Sequence, residues 1–202
     1  ITKGFKDSLK IGDQSRLDIF ARRIIPHKTL YDNVYEISER LSNTGKVLAK
    51  IDIENAKILM KKALNKGYKS AAIVLIHAWK HPKHEKILKK IAIELGFRNV
   101  CISYDTAPLI GLNSRGDTTV VDAYLTPKLN RYTKNISLNI KNTKIFYIKS
   151  TGGLTSSKNF SGKDAVLSGP AGGVIAAVET NKLYKNYEGI IGLDMGGTST
   201  DV

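Results

Sequence analysis

Residues 52 to 104 constrain the fold more than any other part of this chain, because two helix patterns there enclose an apolar run too continuous to be half exposed. Asp52 can cap a helix whose apolar positions Ala56, Leu59, Met60, Ala63 and Leu64 recur at helical spacing, and Gly67 ends it. Ala71-Ala72-Ile73-Val74-Leu75-Ile76 follows without a polar break, which is the pattern of a strand buried on both faces. Pro82 suits the first turn of a second helix with Ile87, Leu88, Ile91, Ala92 and Leu95 inward and Gly96 as its stop, and Val100 to Tyr104 reads as another short strand. Alternation of helices with buried strands predicts an α/β fold with some parallel pairing.

Beyond this block a third helix is expected over Thr118 to Tyr132, kinked or divided at Pro127, and a strand over Lys144 to Lys149. The chain then turns rich in small residues. Ser168-Gly169-Pro170-Ala171-Gly172-Gly173 opens a helix with Pro170 near its start and Ser168 or Gly169 near its cap. Small side chains along it allow close approach to a sheet or a ligand.

The sharpest chemical signal is Gly189 to Val202. Ile190, Ile191 and Leu193 are expected to form a buried strand, and Gly196-Gly197 free the backbone to turn and to aim amides at one spot. Thr198, Ser199 and Thr200 add hydroxyls. Asp194 could hold a magnesium ion through water, and Asp201 could do the same or orient a water. A strand, a glycine turn and carboxylates together make a triphosphate site, although a glycine pair alone more often makes a plain hairpin. No lysine follows the glycines and no third spaced glycine is present, so this is neither a P-loop nor a dinucleotide fingerprint.

Other groups have plainer readings. His77, His81 and His84, with Glu85 adjacent, could be metal ligands, but Pro82 interrupts any single helical face. Hydrogen bonds that fix the turn and cap the second helix are the favoured role. Arg115-Gly116-Asp117-Thr118 reads as a polar turn, with Asp117 as a cap preferred over anion binding by Arg115. The net charge of +14 invites a nucleic-acid partner, but the lysines are spread along the chain and only short pairs occur. Solvated helix faces explain them better. No apolar run reaches the roughly 18 to 20 residues of a membrane span, and a lone cysteine, Cys101, points to a reducing cytoplasm.

A Pro-initiated small-residue helix followed by the Gly189 to Asp201 strand and turn resembles the middle of the actin-like ATPase superfamily, with its ribonuclease H-like fold. A closer resemblance covers nearly the whole chain. Gly4-Phe5-Lys6-Asp7, Ile11 to Arg16, Glu36-Ile37-Ser38-Glu39-Arg40 and His77 with His84-Glu85 look like the A-type chains of the hydantoinase/oxoprolinase family. So do Gly96-Phe97, Asp122 to Pro127, Leu167 to Gly173 and Asp194 to Val202.

The resemblance implies an enzyme that uses ATP and Mg2+ on a cyclic amide of the 5-oxoproline or hydantoin type, with a ketone carboxylase of the same family or a non-enzymatic actin-like ATPase as alternatives. It assigns magnesium to Asp194, with Asp201 a lesser candidate. Phosphate falls to Gly196, Gly197, Thr198, Ser199 and Thr200, with Ser168, Gly169, Gly172, Gly173 and Arg115 in support. It also implies a hydantoinase B-type subunit or domain as partner, an oligomer, and no nucleic acid or membrane.

Residues 1–118 are expected to finish an N-terminal domain and 119–202 to begin the catalytic domain. Both ends read as cuts inside a longer polypeptide, with the aspartate-glycine-threonine phosphate loop and the adenosine site outside an incomplete fragment. That piece is expected to be inactive alone. Lys149-Ser150-Thr151-Gly152-Gly153 departs from the family, whose members often carry an acidic residue before the glycines, and leaves a role for Thr151 in doubt.

Overall fold

The computed structural model describes residues 1–11, 20, 22–23, 28–140, 142–184, 187–197 and 200–202. The chain divides into two compact units, Ile1–Pro127 and Lys128–Val202.

In the first unit the expected α/β alternation is present. A short helix α1 (Ser8–Ile11) precedes a two-stranded antiparallel hairpin, β1 (Arg40–Leu41) and β2 (Val47–Ala49). Helix α2 (Ile53–Asn65) starts at Asp52, whose carboxylate accepts from the Asn55 amide at 3.0 Å. Gly67, with φ of +90°, lets the chain leave it. Strand β3 (Ser70–Ile73) runs parallel to β4 (Asn99–Ile102), in register Ser70 to Asn99 and Ile73 to Ile102. The crossover between them is α3 (Lys83–Leu95), which ends on left-handed Gly96 at φ +108°.

The core lies where these layers meet. Ala56 of α2, Leu88 of α3 and Ile73, Leu75 and Ile102 at the strands are buried together. The expected strand at Ala71 to Ile76 is shorter than its apolar run, because Ile76 already belongs to a turn.

A one-turn helix α4 (Ser103–Thr106) follows β4 directly, and then α5 runs over Leu112–Asn139. This corrects the expected helix in two ways. Its start lies six residues before Thr118, so Asp117 is inside the helix and is not its cap. Pro127 also stands inside one helix instead of dividing it. Gly116, which reads as a breaker in sequence, serves packing: a Cβ there would lie 2.5 Å from Leu9 Cδ2 of α1.

The second unit pairs β5 (Phe146–Ile148) antiparallel with β6 (Leu154–Ser156). Gly152, at φ +84°, makes the turn between them. After a one-turn helix α6 (Gly162–Ala165) comes α7 (Ser168–Tyr184), with Pro170 in its first turn. Close approach to the sheet is real: a Cβ on Gly172 would meet Ile148 Cδ1 at 3.4 Å, and Ile175 Cδ1 lies 3.0 Å from the Cβ position of Gly152. Finally β7 (Asp194–Met195) pairs antiparallel with β8 (Thr200–Asp201). Among the described residues no helix is long and apolar enough to cross a membrane.

Candidate functional site

The glycine turn that sequence singles out joins β7 to β8. Their register sets Asp194 opposite Asp201 and Met195 opposite Thr200, so two aspartate positions face each other across a hairpin one step from the turn. Asp194 and Gly197 are exposed, and a Cβ on Gly197 would meet nothing within 4 Å. The backbone there is open to a ligand. Thr198 and Ser199 lie outside the described residues, and of Asp201 only the backbone is described.

The approach to the turn differs from expectation. Ile190, Ile191 and Leu193 are not a buried strand: they lie outside any strand and are 41%, 89% and 65% exposed. A strand buried on both faces needs a layer on each side. Here the Cβ position of Gly192 comes within 3.8 Å of Ala177 Cβ on α7, and no described strand pairs with the segment. Asp194 accordingly opens β7 instead of ending a preceding strand.

Of the supporting candidates, Ser168, Gly169, Gly172 and Gly173 lie in the first two turns of α7. The amide of Leu167, just before the helix, donates to Ser150 Oγ at 3.0 Å, and the Ser150 amide and hydroxyl donate to Asp164 O at 2.6 and 2.8 Å. These bonds tie the turn after β5 to the start of α7. Burial pushes the Asp164 carboxyl up, but hydrogen bonds from Lys163 and Ser161 outweigh it and hold the group below its ordinary value.

Arg115 belongs to a different constellation in the first unit. Its guanidinium is buried and donates to Ser103 Oγ at 2.8 Å, to Leu75 O at 2.7 Å, and to Leu109 O and Ile110 O at 2.6 and 3.2 Å. Glu85, fully buried on α3, accepts from Leu75 N at 2.9 Å, Ser103 Oγ at 2.5 Å and Tyr104 N at 3.0 Å. The Ser103 hydroxyl thus bridges carboxylate and guanidinium, and together they close the ends of β3 and β4. Burial raises the Glu85 pKa above its ordinary value, against the pull of these donors and of Arg115. In sequence Arg115 reads as part of a polar turn with anion binding as its sharper role, and Glu85 only as a neighbour of possible histidine ligands. The signal that could reveal them is Glu85 on the same helical face as Leu88 and Ala92, which are buried.

The histidines are used separately. His84 Nδ1 lies 2.6 Å from Glu39 Oε2, while Glu39 Oε1 accepts from Thr2 Oγ1 at 2.5 Å. His81 Nε2 lies 3.0 Å from Asn43 O, which fixes the turn as expected. Capping of α3 is not their role, since its cap residue is Pro82 and has no side-chain bond. Among the described residues no three potential metal ligands gather.

Two family profiles match in chain order: hydantoinase/oxoprolinase N-terminal region over residues 1–96 and hydantoinase/oxoprolinase over 115–202. The chain belongs to the hydantoinase/oxoprolinase family. Relatives include the 5-oxoprolinase of Saccharomyces cerevisiae, 40% identical over all of this chain, which spans 18% of that protein's length. Among solved structures, an ATP-dependent caprolactamase from Pseudomonas jessenii superposes with a TM-score of 0.82 at 25% identity, covering 98% of this chain and 30% of its own. The nucleotide-free structure of an acetone carboxylase gives a TM-score of 0.84 at 22% identity, covering 98% and 31%. The fold is the mixed α/β fold related to the actin-like ATPases.

Proposed function

We propose that the β7–β8 turn is the phosphate-holding half of an ATP site in an enzyme that opens a cyclic amide of the 5-oxoproline or hydantoin type. The observation that carries this reading is the pairing of Asp194 with Asp201 beside Gly197, which is exposed and whose Cβ position meets nothing within 4 Å. Carboxylate and hydroxyl oxygens are the hard donors magnesium prefers, and unobstructed glycine amides suit phosphate oxygens, so these residues fit Mg2+ and ATP. ATP, when bound, supplies the phosphoryl group that makes the amide oxygen a leaving group.

The chain's own part is placement. Asp194 would hold the magnesium ion through water, with Asp201 as a lesser candidate, while the amides of Gly196 and Gly197 would receive phosphate oxygens with Thr198, Ser199 and Thr200 beside them. Ser168, Gly169, Gly172 and Gly173, in the first two turns of α7, are the supporting candidates for the turn. Arg115 is the weakest of the supporting candidates, since its buried guanidinium already donates to Ser103, Leu75, Leu109 and Ile110.

We read the catalytic domain as starting near Thr119, close to where the second family profile begins at residue 115. This region occupies 18% of the yeast relative but 30% of the caprolactamase chain, so the family carries it in polypeptides of two lengths. A hydantoinase B-type partner, fused in the longer and separate in the shorter, accounts for that difference. The buried Cys101 thiol, pushed up to about 12 by burial and then by Asp122, is unreactive and fits a cytoplasmic protein.

A ketone carboxylase is the second reading, favoured by the fold likeness to acetone carboxylase. ATP hydrolysis assayed with 5-oxoproline, hydantoin, and acetone plus bicarbonate separates the two. Stimulation by either cyclic amide supports the proposal, stimulation by acetone alone replaces it with the carboxylase, and no stimulation by any removes the enzymatic assignment.

A further inference from the structure

β3 leads into the unbroken apolar run Ala71 to Ile76, a pattern that suits a strand inside a sheet and not one at its rim. It has β4 on one edge, and among the described residues no strand pairs with the other. Ser70, Ala71 and Ala72 accordingly stay half-buried. Nothing within Ser70–Ile73 blunts the open edge, since these residues include no charge, proline or bulge.

A cavity of about 580 Å³, lined wholly by the first unit, follows that edge. Its wall includes five consecutive residues, Ser70 to Val74. Successive side chains point to opposite faces, so a space that touches all five lies beside the strand and not over one face. Helices cover it from both faces. Ser70 Oγ and Asn99 Nδ2 donate to Ala123 O at 2.6 and 3.1 Å, which sets α5 on one face, whereas Ile73 and Ile102, on the other, pack with Ala56 of α2. Val120, Ala123 and Tyr124 of α5 and Leu59, Met60 and Ala63 of α2 reach the cavity. Tyr35 also lines it, and its hydroxyl is buried without a hydrogen-bond partner among the described residues.

We propose that this slot seats one β-strand of the same polypeptide, supplied from outside residues 1–202, which pairs with the free edge of β3. Its main-chain amides and carbonyls meet those of Ser70 to Val74, its apolar side chains lie against α2 and α5, and one of its oxygens accepts from the Tyr35 hydroxyl. This chain spans 18% of the yeast 5-oxoprolinase and 30% of the caprolactamase chain, so both carry most of their length outside the matched region. A strand laid between two helices is built in as the sheet forms, which sets it apart from a partner that comes and goes. A second copy could offer only its own β3 edge, and the helices flanking that edge would meet α2 and α5 first.

The test uses the full-length protein with Met60→p-benzoylphenylalanine or, separately, Tyr35→p-benzoylphenylalanine, cross-linked by ultraviolet light and mapped by peptide mass spectrometry. Cross-links from both positions to one peptide outside residues 1–202, in a product of monomer mass, are expected. Hydrogen exchange of the wild type, resolved by residue, should show every amide from Ala71 to Val74 slowed at least about 100-fold against the unstructured rate. Alternate β3 amides exchanging at the unstructured rate overturn the strand. So does a folded variant that cross-links only within residues 1–202, to a second copy, to another protein or to nothing. If neither variant folds, the exchange pattern of the wild type decides alone.

Discussion

Ser103 joins the two buried charges of the first unit, accepting from Arg115 Nε at 2.8 Å and donating to Glu85 Oε1 at 2.5 Å. Ser103→Ala leaves both without their bridge in a site closed to water and should cost about 1–3 kcal/mol in urea unfolding. Arg115→Met should cost more, about 3–5 kcal/mol, because four hydrogen bonds and the compensating charge disappear together. The folded-state pKa of Glu85 lies above the ordinary 4.5. Between those two values the folded state holds a proton that the unfolded state has released, so stability falls as pH rises through that window. Glu85→Gln should flatten this part of a stability-versus-pH curve; an unchanged slope would show that Glu85 does not titrate there. These residues were hard to read in sequence because a lone buried charge has no periodic signature. Its partners, Leu75, Ser103 and Tyr104, are brought to it only by the strand register.

At the scale of elements, local chemistry was legible where it was self-contained. Asp52 and Gly67 bound α2, Gly96 ends α3, and Pro170 stands in the first turn of α7, each for a reason contained within a few residues. The start of α5 was not legible, since Arg115-Gly116-Asp117 carries turn residues whose helical state depends on contacts with Leu9, Leu75 and Ser103 far away in sequence. The segment before Asp194 misled for the opposite reason: its apolar run suggests burial, but no described strand pairs with it. The β5–β6 turn gives a clean test. Gly152 combines φ of +84° with Ile175 Cδ1 at 3.0 Å from its Cβ position. Gly152→Ala should therefore destabilise the second unit by about 1–2 kcal/mol, seen as an earlier urea transition in the near-ultraviolet signal of Tyr147 and Phe160, whose rings stack at 5.0 Å.

For the molecule as a whole, membership of the family was readable because ordered motifs run from Gly4 to Val202, and the two profiles match residues 1–96 and 115–202 of that span. The parallel β3–β4 pair and its α3 crossover were readable from the α/β alternation. The candidate site was readable only as residue types. Its hairpin register, which sets Asp194 against Asp201, emerges from the pairing of two strands of two residues each, too short to leave a pattern. The charge of +14 stays spread over helix faces, as at Lys57 and Lys182, which pair with glutamates one turn away. The proposed role of the β7–β8 turn is to hold magnesium and phosphate for cyclic-amide opening. Its most direct test is 5-oxoproline-dependent ATP hydrolysis by the full-length protein carrying Asp194→Ala, with folding checked by circular dichroism. A loss of at least about 100-fold in kcat with the fold intact is predicted, and activity equal to the wild type would contradict the claim.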